Sequence, residues 1–156
     1  MIKVNIPGFA DLTLKDVIFD YNGTLASDGL LIPGVKEPLI ALAEKLKIHI
    51  VTGDSLGTAK TELQGIPCTI SIAPPTEQGL NKQNYLHHLN PKETVSIGNG
   101  RNDQQIMKES AVGIVILGPE GVAVEALKAA DVMVATIFDA INLLQHPNRL
   151  SSTLRS

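Results

Sequence analysis

A three-layer α/β sandwich around a mainly parallel sheet is the fold this chain predicts, and three observations carry the reading. Short runs of β-formers, VIF at 17–19, IHIV at 48–51, CTISI at 68–72, TVSI at 94–97, VGIVIL at 112–117 and DVMVA at 131–135, alternate with stretches whose apolar residues recur at helical spacing. The loops between them are short, as strand–helix–strand crossovers require. Three strands also run out into polar side chains and glycines: Asp20 to Thr24, Thr52 to Ser55, and Gly98 to Asp103. Ligands of an open α/β sheet bind outside the carboxyl ends of its strands, so these three loops are where a site is expected.

In chain order, IKVNI and ADLTL flank Pro7-Gly8 and read as a β-hairpin on a sheet edge. The strand ending in Asp20 follows, then a turn-rich flap over 26–33. Val35, Leu39, Leu42 and Leu46 share one face of a helix over 34–46. After the IHIV strand, Ser55 is placed to cap a helix through Leu63, which Gly65 and Pro67 stop. Pro74-Pro75 precede a helix over about 76–89. Further helices are expected over 102–109, over 120–129 and from the last strand to Leu144. Residues 1–146 form a single domain on this reading, and 147–156 a loosely held polar tail.

Composition narrows the function. The 156 residues suffice for one core without disulfide or metal staples, and 44% hydrophobic with 19% charged residues is globular usage. A formal charge of −3 argues against binding nucleic acid by bulk charge, so an anionic substrate needs local donors. The single Cys68 excludes an internal disulfide, reads as a small buried apolar residue and suits a reducing cytoplasm. The amino terminus lacks the layout of a signal peptide, and AVGIVIL at 111–117 is far short of a bilayer span, so a soluble protein is expected.

The loop residues suit phosphoryl chemistry. Asp20 is a candidate nucleophile, because a carboxylate can attack phosphorus. The Thr52 hydroxyl with nearby backbone N–H groups, at Gly53 and Gly23, can hold phosphate oxygens. Lys82 stands near a helix start, where the macrodipole disfavours a cation; a solvated side chain explains it unless the site needs it. Asp103, Asn99 and Asn102 offer oxygens of the kind Mg²⁺ takes, with Asp20 sharing the ion. GNGRND imitates a dinucleotide glycine fingerprint, but Asp103 stands where the third glycine belongs, and no Walker phosphate loop is present. The four histidines, His49, His87, His88 and His146, read as structural or surface residues.

Taken together these motifs resemble the haloacid dehalogenase-like superfamily, and within it the phosphorylation domain of P-type ATPases. DYNGTL is similar to the first motif, VTGD to the second, Lys82 to the third and GNGRND to the fourth, in that order. VTGDSLGTAKTELQGI and GVAVEALKAADVMV extend the likeness over most of residues 15–135. The resemblance implies a Rossmann-like sheet, a Mg²⁺ ion and an aspartyl-phosphate. It assigns Asp20 as nucleophile, Thr52 as phosphate-binding hydroxyl, Lys82 as charge-neutralising lysine, Asp103 as a metal-site carboxylate and the carbonyl of Asn22 as a further metal ligand.

Three departures qualify it. Asn22 stands where superfamily phosphatases carry a proton-shuttling Asp, which predicts slow turnover on ordinary esters. Asn99 replaces an Asp of the fourth motif, which removes one negative charge from the ion's site. Only about thirty residues separate Asp20 from Thr52, so no nucleotide-binding insert is present and the cap is minimal or absent. The expected protein is a Mg²⁺-dependent phosphohydrolase acting on a phosphorylated small molecule or an exposed phosphate of a macromolecule, with a homo-oligomer compatible. The alternatives are a catalytically impaired phosphate- or Mg²⁺-sensing module, and a structural partner-binding domain.

Overall fold

The computed structural model describes residues 1–74 and 76–156. Its centre is a six-stranded, all-parallel sheet in the order β10-β9-β8-β3-β6-β7, built from β3 (Asp16–Phe19), β6 (Lys47–Thr52), β7 (Cys68–Ile72), β8 (Thr94–Gly98), β9 (Val112–Ile116) and β10 (Val132–Val134). The chain winds outward from β3 to β7 on one side and from β8 to β10 on the other. The strand order therefore reverses beside β3, and a crevice opens there at the carboxyl edge.

Alternation along β3 fixes the layers. Val17 and Phe19 enter the larger core, against α1 (Lys36–Ala43) and α6 (Ile137–Gln145), while Ile18 faces Leu86 and Ile106 on α3 (Gln78–His88) and α4 (Gln104–Glu109). All three strand residues are fully buried, as a strand covered on both faces requires. A short α2 (Ala59–Glu62) and α5 (Val124–Ala129) complete the crossovers.

Four expectations need correcting. The hairpin of β1 (Ile2–Ile6) and β2 (Ala10–Leu14) is a separate two-stranded sheet rather than an edge of the main one. It lies at the amino ends of the strands, where Lys15 N–H donates to the Glu93 carbonyl at 2.8 Å. The polar tail is ordered. Residues Pro147–Leu154 form α7, which packs on β1 and buries Leu150. The helix after β6 begins only at Ala59, and Asp54 rather than Ser55 serves its start: the Asp54 carboxylate accepts from the N–H groups of Thr58 and Ala59 at 3.0 and 3.1 Å. The helix expected from residue 120 begins at Val124, because a tight Gly118–Gly121 turn occupies the chain before it. Of the two prolines before α3, Pro75 lies outside the described residues.

The flap is small. Two-residue strands β4 (Ala26–Ser27) and β5 (Leu30–Leu31) form a hairpin tied down by Tyr21 Oη and Thr58 Oγ1, which both donate to the Gly29 carbonyl. Among the described residues no helix is long and apolar enough to cross a membrane.

Candidate active site

β3 delivers its carboxylate into the crevice. The Asp20 N–H donates to the Ile97 carbonyl at 2.9 Å, which extends the β3–β8 ladder by one residue before the chain turns away. The turn closes on the Tyr21 carbonyl, which accepts from the N–H groups of Thr24, Leu25 and Ala26. Gly23 is required there twice over: its φ is +82°, and a Cβ would run into the Asn99 side chain.

Lys82 reaches the site from α3 with only 1% of its surface exposed. Its Nζ donates to Asp20 Oδ1 and to Asp103 Oδ1, each at 2.6 Å. Asp103 is completely buried, and its Oδ2 accepts from the Gly100 N–H at 3.0 Å. Gly98 makes room for that carboxylate, since a Cβ there would overlap it. Three charges share one low-dielectric spot, two acids and one ammonium. Burial pushes the Asp20 carboxyl up, Lys82 opposes this and Asp103 adds to it, so it titrates at about 6. Burial alone depresses the Lys82 ammonium, but Asp103 and Asp20 more than reverse this and hold it above the ordinary lysine range.

In front of this group lies a cleft of about 260 Å³ lined by Asp20, Asn22, Thr52, Gln78, Asn99 and Glu120, with Gly53, Asp54 and Ser55 along one wall. Thr52, the last residue of β6, accepts from the Asp54 N–H at 3.1 Å, and its hydroxyl proton remains able to meet an anion. Asn99 is oriented by two bonds, accepting from Thr24 Oγ1 at 3.2 Å and donating to the Gly121 carbonyl at 3.0 Å.

The expected residues therefore converge, with two changes of role. Gly23 offers no donor to a phosphate, because its N–H closes the turn onto the Ala26 carbonyl at 2.7 Å. Asp103 does not line the cleft. With Lys82 on one oxygen and Gly100 on the other, it anchors the lysine behind Asp20. Of the expected metal ligands, Asp20, Asn22 and Asn99 line the cleft, and Asn22 Oδ1 is buried with no hydrogen-bond partner. An orphaned amide oxygen beside a carboxylate fits a hard cation, although among the described residues no cluster of three His, Cys, Asp or Glu side chains forms a cage.

Gln78 and Glu120 also line the cleft and belong to none of the motifs, whereas Asp54 lies in the Thr52–Ser55 loop where a site is expected. Glu120 is not legible in the sequence, because its place depends on how the Gly118–Gly121 turn folds back. The histidines stand away from the cleft as expected: His49 bonds Asp16 and Tyr85, each at 2.9 Å, and His87 meets Glu109.

No family model matches the chain. An uncharacterized protein of Methanocaldococcus jannaschii, MJ0073, is 40% identical over 71 residues, which cover 45% of this chain and 76% of that protein. A soluble P-type ATPase-like phosphatase of the same organism is 28% identical over 130 residues; the match takes in 77% of this chain but only 45% of the phosphatase's own length. Among solved structures, a cobalt-bound deoxy-D-mannose-octulosonate 8-phosphate phosphatase from Haemophilus influenzae superposes with a TM-score of 0.69 at 10% identity, over 92% of this chain and 94% of that one. The Moraxella catarrhalis 3-deoxy-D-manno-octulosonate 8-phosphate phosphatase, in complex with magnesium, phosphate and KDO, superposes at 0.66 with 16% identity over 91% and 94% of the two chains. These structures share the fold with this chain.

Proposed function

We propose that this chain, which belongs to one family with the uncharacterized MJ0073, is a haloacid dehalogenase-like, Mg²⁺-dependent phosphohydrolase working through an aspartyl-phosphate on Asp20. The observation that carries the proposal is the buried Lys82 ammonium held at 2.6 Å from both Asp20 and Asp103, behind the cleft that Asp20 lines. A structural role does not explain it, since burying three charges is costly unless something uses them.

Asp20 attacks the phosphorus of a phosphate monoester or acyl phosphate, and the bond to the leaving oxygen breaks. Lys82 keeps positive charge beside the attacking carboxylate, and Asp103 keeps Lys82 in place. The Thr52 hydroxyl and the backbone around Gly53 receive the phosphate oxygens. A magnesium ion held by Asp20, the carbonyl of Asn22 and the Asn99 amide oxygen would offset the repulsion between carboxylate and phosphate. Asn22 cannot protonate the leaving oxygen. General acid help is worth about 10² to 10⁴ in rate, so substrates that leave without a proton are favoured by that order.

A phosphatase panel tests this directly. Acetyl and aryl phosphates should turn over in Mg²⁺ and sugar phosphates far more slowly; Asn22→Asp should raise the slow group, and Asp20→Asn should abolish all of it. Full activity of Asp20→Asn in a clean preparation would exclude the mechanism. Asn22 and Asn99 favour a second reading, a module that binds phosphate or Mg²⁺ without useful turnover; its signature is a stable phosphorylated Asp20 with no second cycle.

A further inference from the structure

Asn22 leaves the second half of the reaction, release of phosphate from Asp20, without a base, and two carboxylates of the cleft wall are not used by the mechanism: Asp54, which is held by the N–H groups of Thr58 and Ala59 at the start of α2, and Glu120. Glu120 lines the same 260 Å³ cavity as Asp20 and Asn22. It comes from a different part of the chain, and four separate contacts bring it there. The Gly118–Gly121 turn presses on the nucleophile loop so closely that a Cβ on Gly118 would lie 2.7 Å from the Gly23 carbonyl oxygen. The Gly121 carbonyl accepts from Asn99 Nδ2 at 3.0 Å, and Ala123 N–H donates to the Asn99 carbonyl at 2.9 Å. Glu120 Oε1 accepts from the Asp28 N–H of the flap at 3.0 Å. That bond uses one carboxylate oxygen; the other makes no hydrogen bond to the protein among the described residues.

We infer that Glu120 is the general base of dephosphorylation, standing in for the acid that Asn22 lacks; this rests on Asp20 being phosphorylated as proposed above. A water in the cleft gives its proton to Glu120 as its oxygen bonds to phosphorus. The bond between phosphorus and Asp20 breaks, the carboxylate is restored and inorganic phosphate leaves. Glu120 serves only this second step. It therefore separates the rate of forming the phosphoenzyme from the rate of losing it.

Glu120→Gln isolates that role, because the amide oxygen still accepts from Asp28 N–H and the flap stays tied, while the proton acceptor is gone. Wild type, Glu120→Gln and Glu120→Ala are labelled with radioactive acetyl phosphate in Mg²⁺, chased with unlabelled acetyl phosphate, and the protein-bound label is followed. Glu120→Gln should form the label at the wild-type rate and lose it at least about 10²-fold more slowly. Glu120→Ala should lose it as slowly as Glu120→Gln, whatever the flap does. Equal decay in wild type and Glu120→Gln would overturn the role of Glu120 and leave the aspartyl-phosphate standing. No label in any of the proteins would overturn both.

Discussion

Asp20 sits under opposed pulls, and their balance sets a stability as well as a reactivity. Burial and the Asp103 charge raise its carboxyl from 3.8 to about 6, against the attraction of Lys82. The folded chain thus binds this proton more tightly than the unfolded one, so in the metal-free protein this contribution to stability is full below pH 3.8 and is lost as pH rises to about 6. Above that window an ionised Asp20 opposes folding. Asp20→Asn, which keeps the shape and stays neutral, should therefore stabilise the metal-free protein at pH 7 and give no gain near pH 4. Urea unfolding at the two pH values checks this; equal gains at both would mean that the charge on Asp20 is not what strains the site. A divalent cation beside Asp20 would favour the ionised carboxylate and offset this cost.

At the level of elements, residue type at strand ends made the site legible, and packing partners made the rest illegible. Asp20, Thr52 and Asn99 each follow or end a run of β-formers, and Asp103 and Lys82 lie on the helical segments next to them, so topology alone brought them to one edge. The hairpin and the tail depart from expectation for a common reason. Neither pairs with the main sheet, and each is ordered by the other: α7 lies on β1, Ser151 Oγ donates to the Asn5 carbonyl at 3.1 Å, and Leu150 is buried with Ile2 and Ile6. PNRLSSTL carries only two apolar residues at helical spacing, Leu150 and Leu154, which is too little to announce that. Leu150→Ala should cost about 2 to 5 kcal/mol, read from the unfolding midpoint. It should leave the phosphatase rate of the folded fraction unchanged, since this layer lies at the edge of the sheet opposite the cleft. A lost rate with unchanged stability would contradict that separation.

For the whole molecule, the shape of the cleft limits the substrate more than its chemistry does. The two-residue strands of the flap leave the crevice open, and no cap domain rises over it among the described residues. On the proposed function, an open site suits phosphate presented on something large or exposed, and the net charge of −3 leaves recognition of that phosphate to the Thr52 loop and a cation rather than to bulk charge. Asn22 and Asn99 could be read in the sequence as departures. What could not be read was the compensation, because Glu120 becomes a neighbour of Asp20 only when the turn at 118–121 folds against Gly23. The nucleophile itself is open to one decisive observation. Label the protein with radioactive acetyl phosphate in Mg²⁺, quench in acid, reduce the acyl phosphate with borohydride and map the modified residue by peptide mass. Modification at Asp20, absent from Asp20→Asn, is the predicted result; modification at another residue, or label that persists in Asp20→Asn, would contradict the assignment.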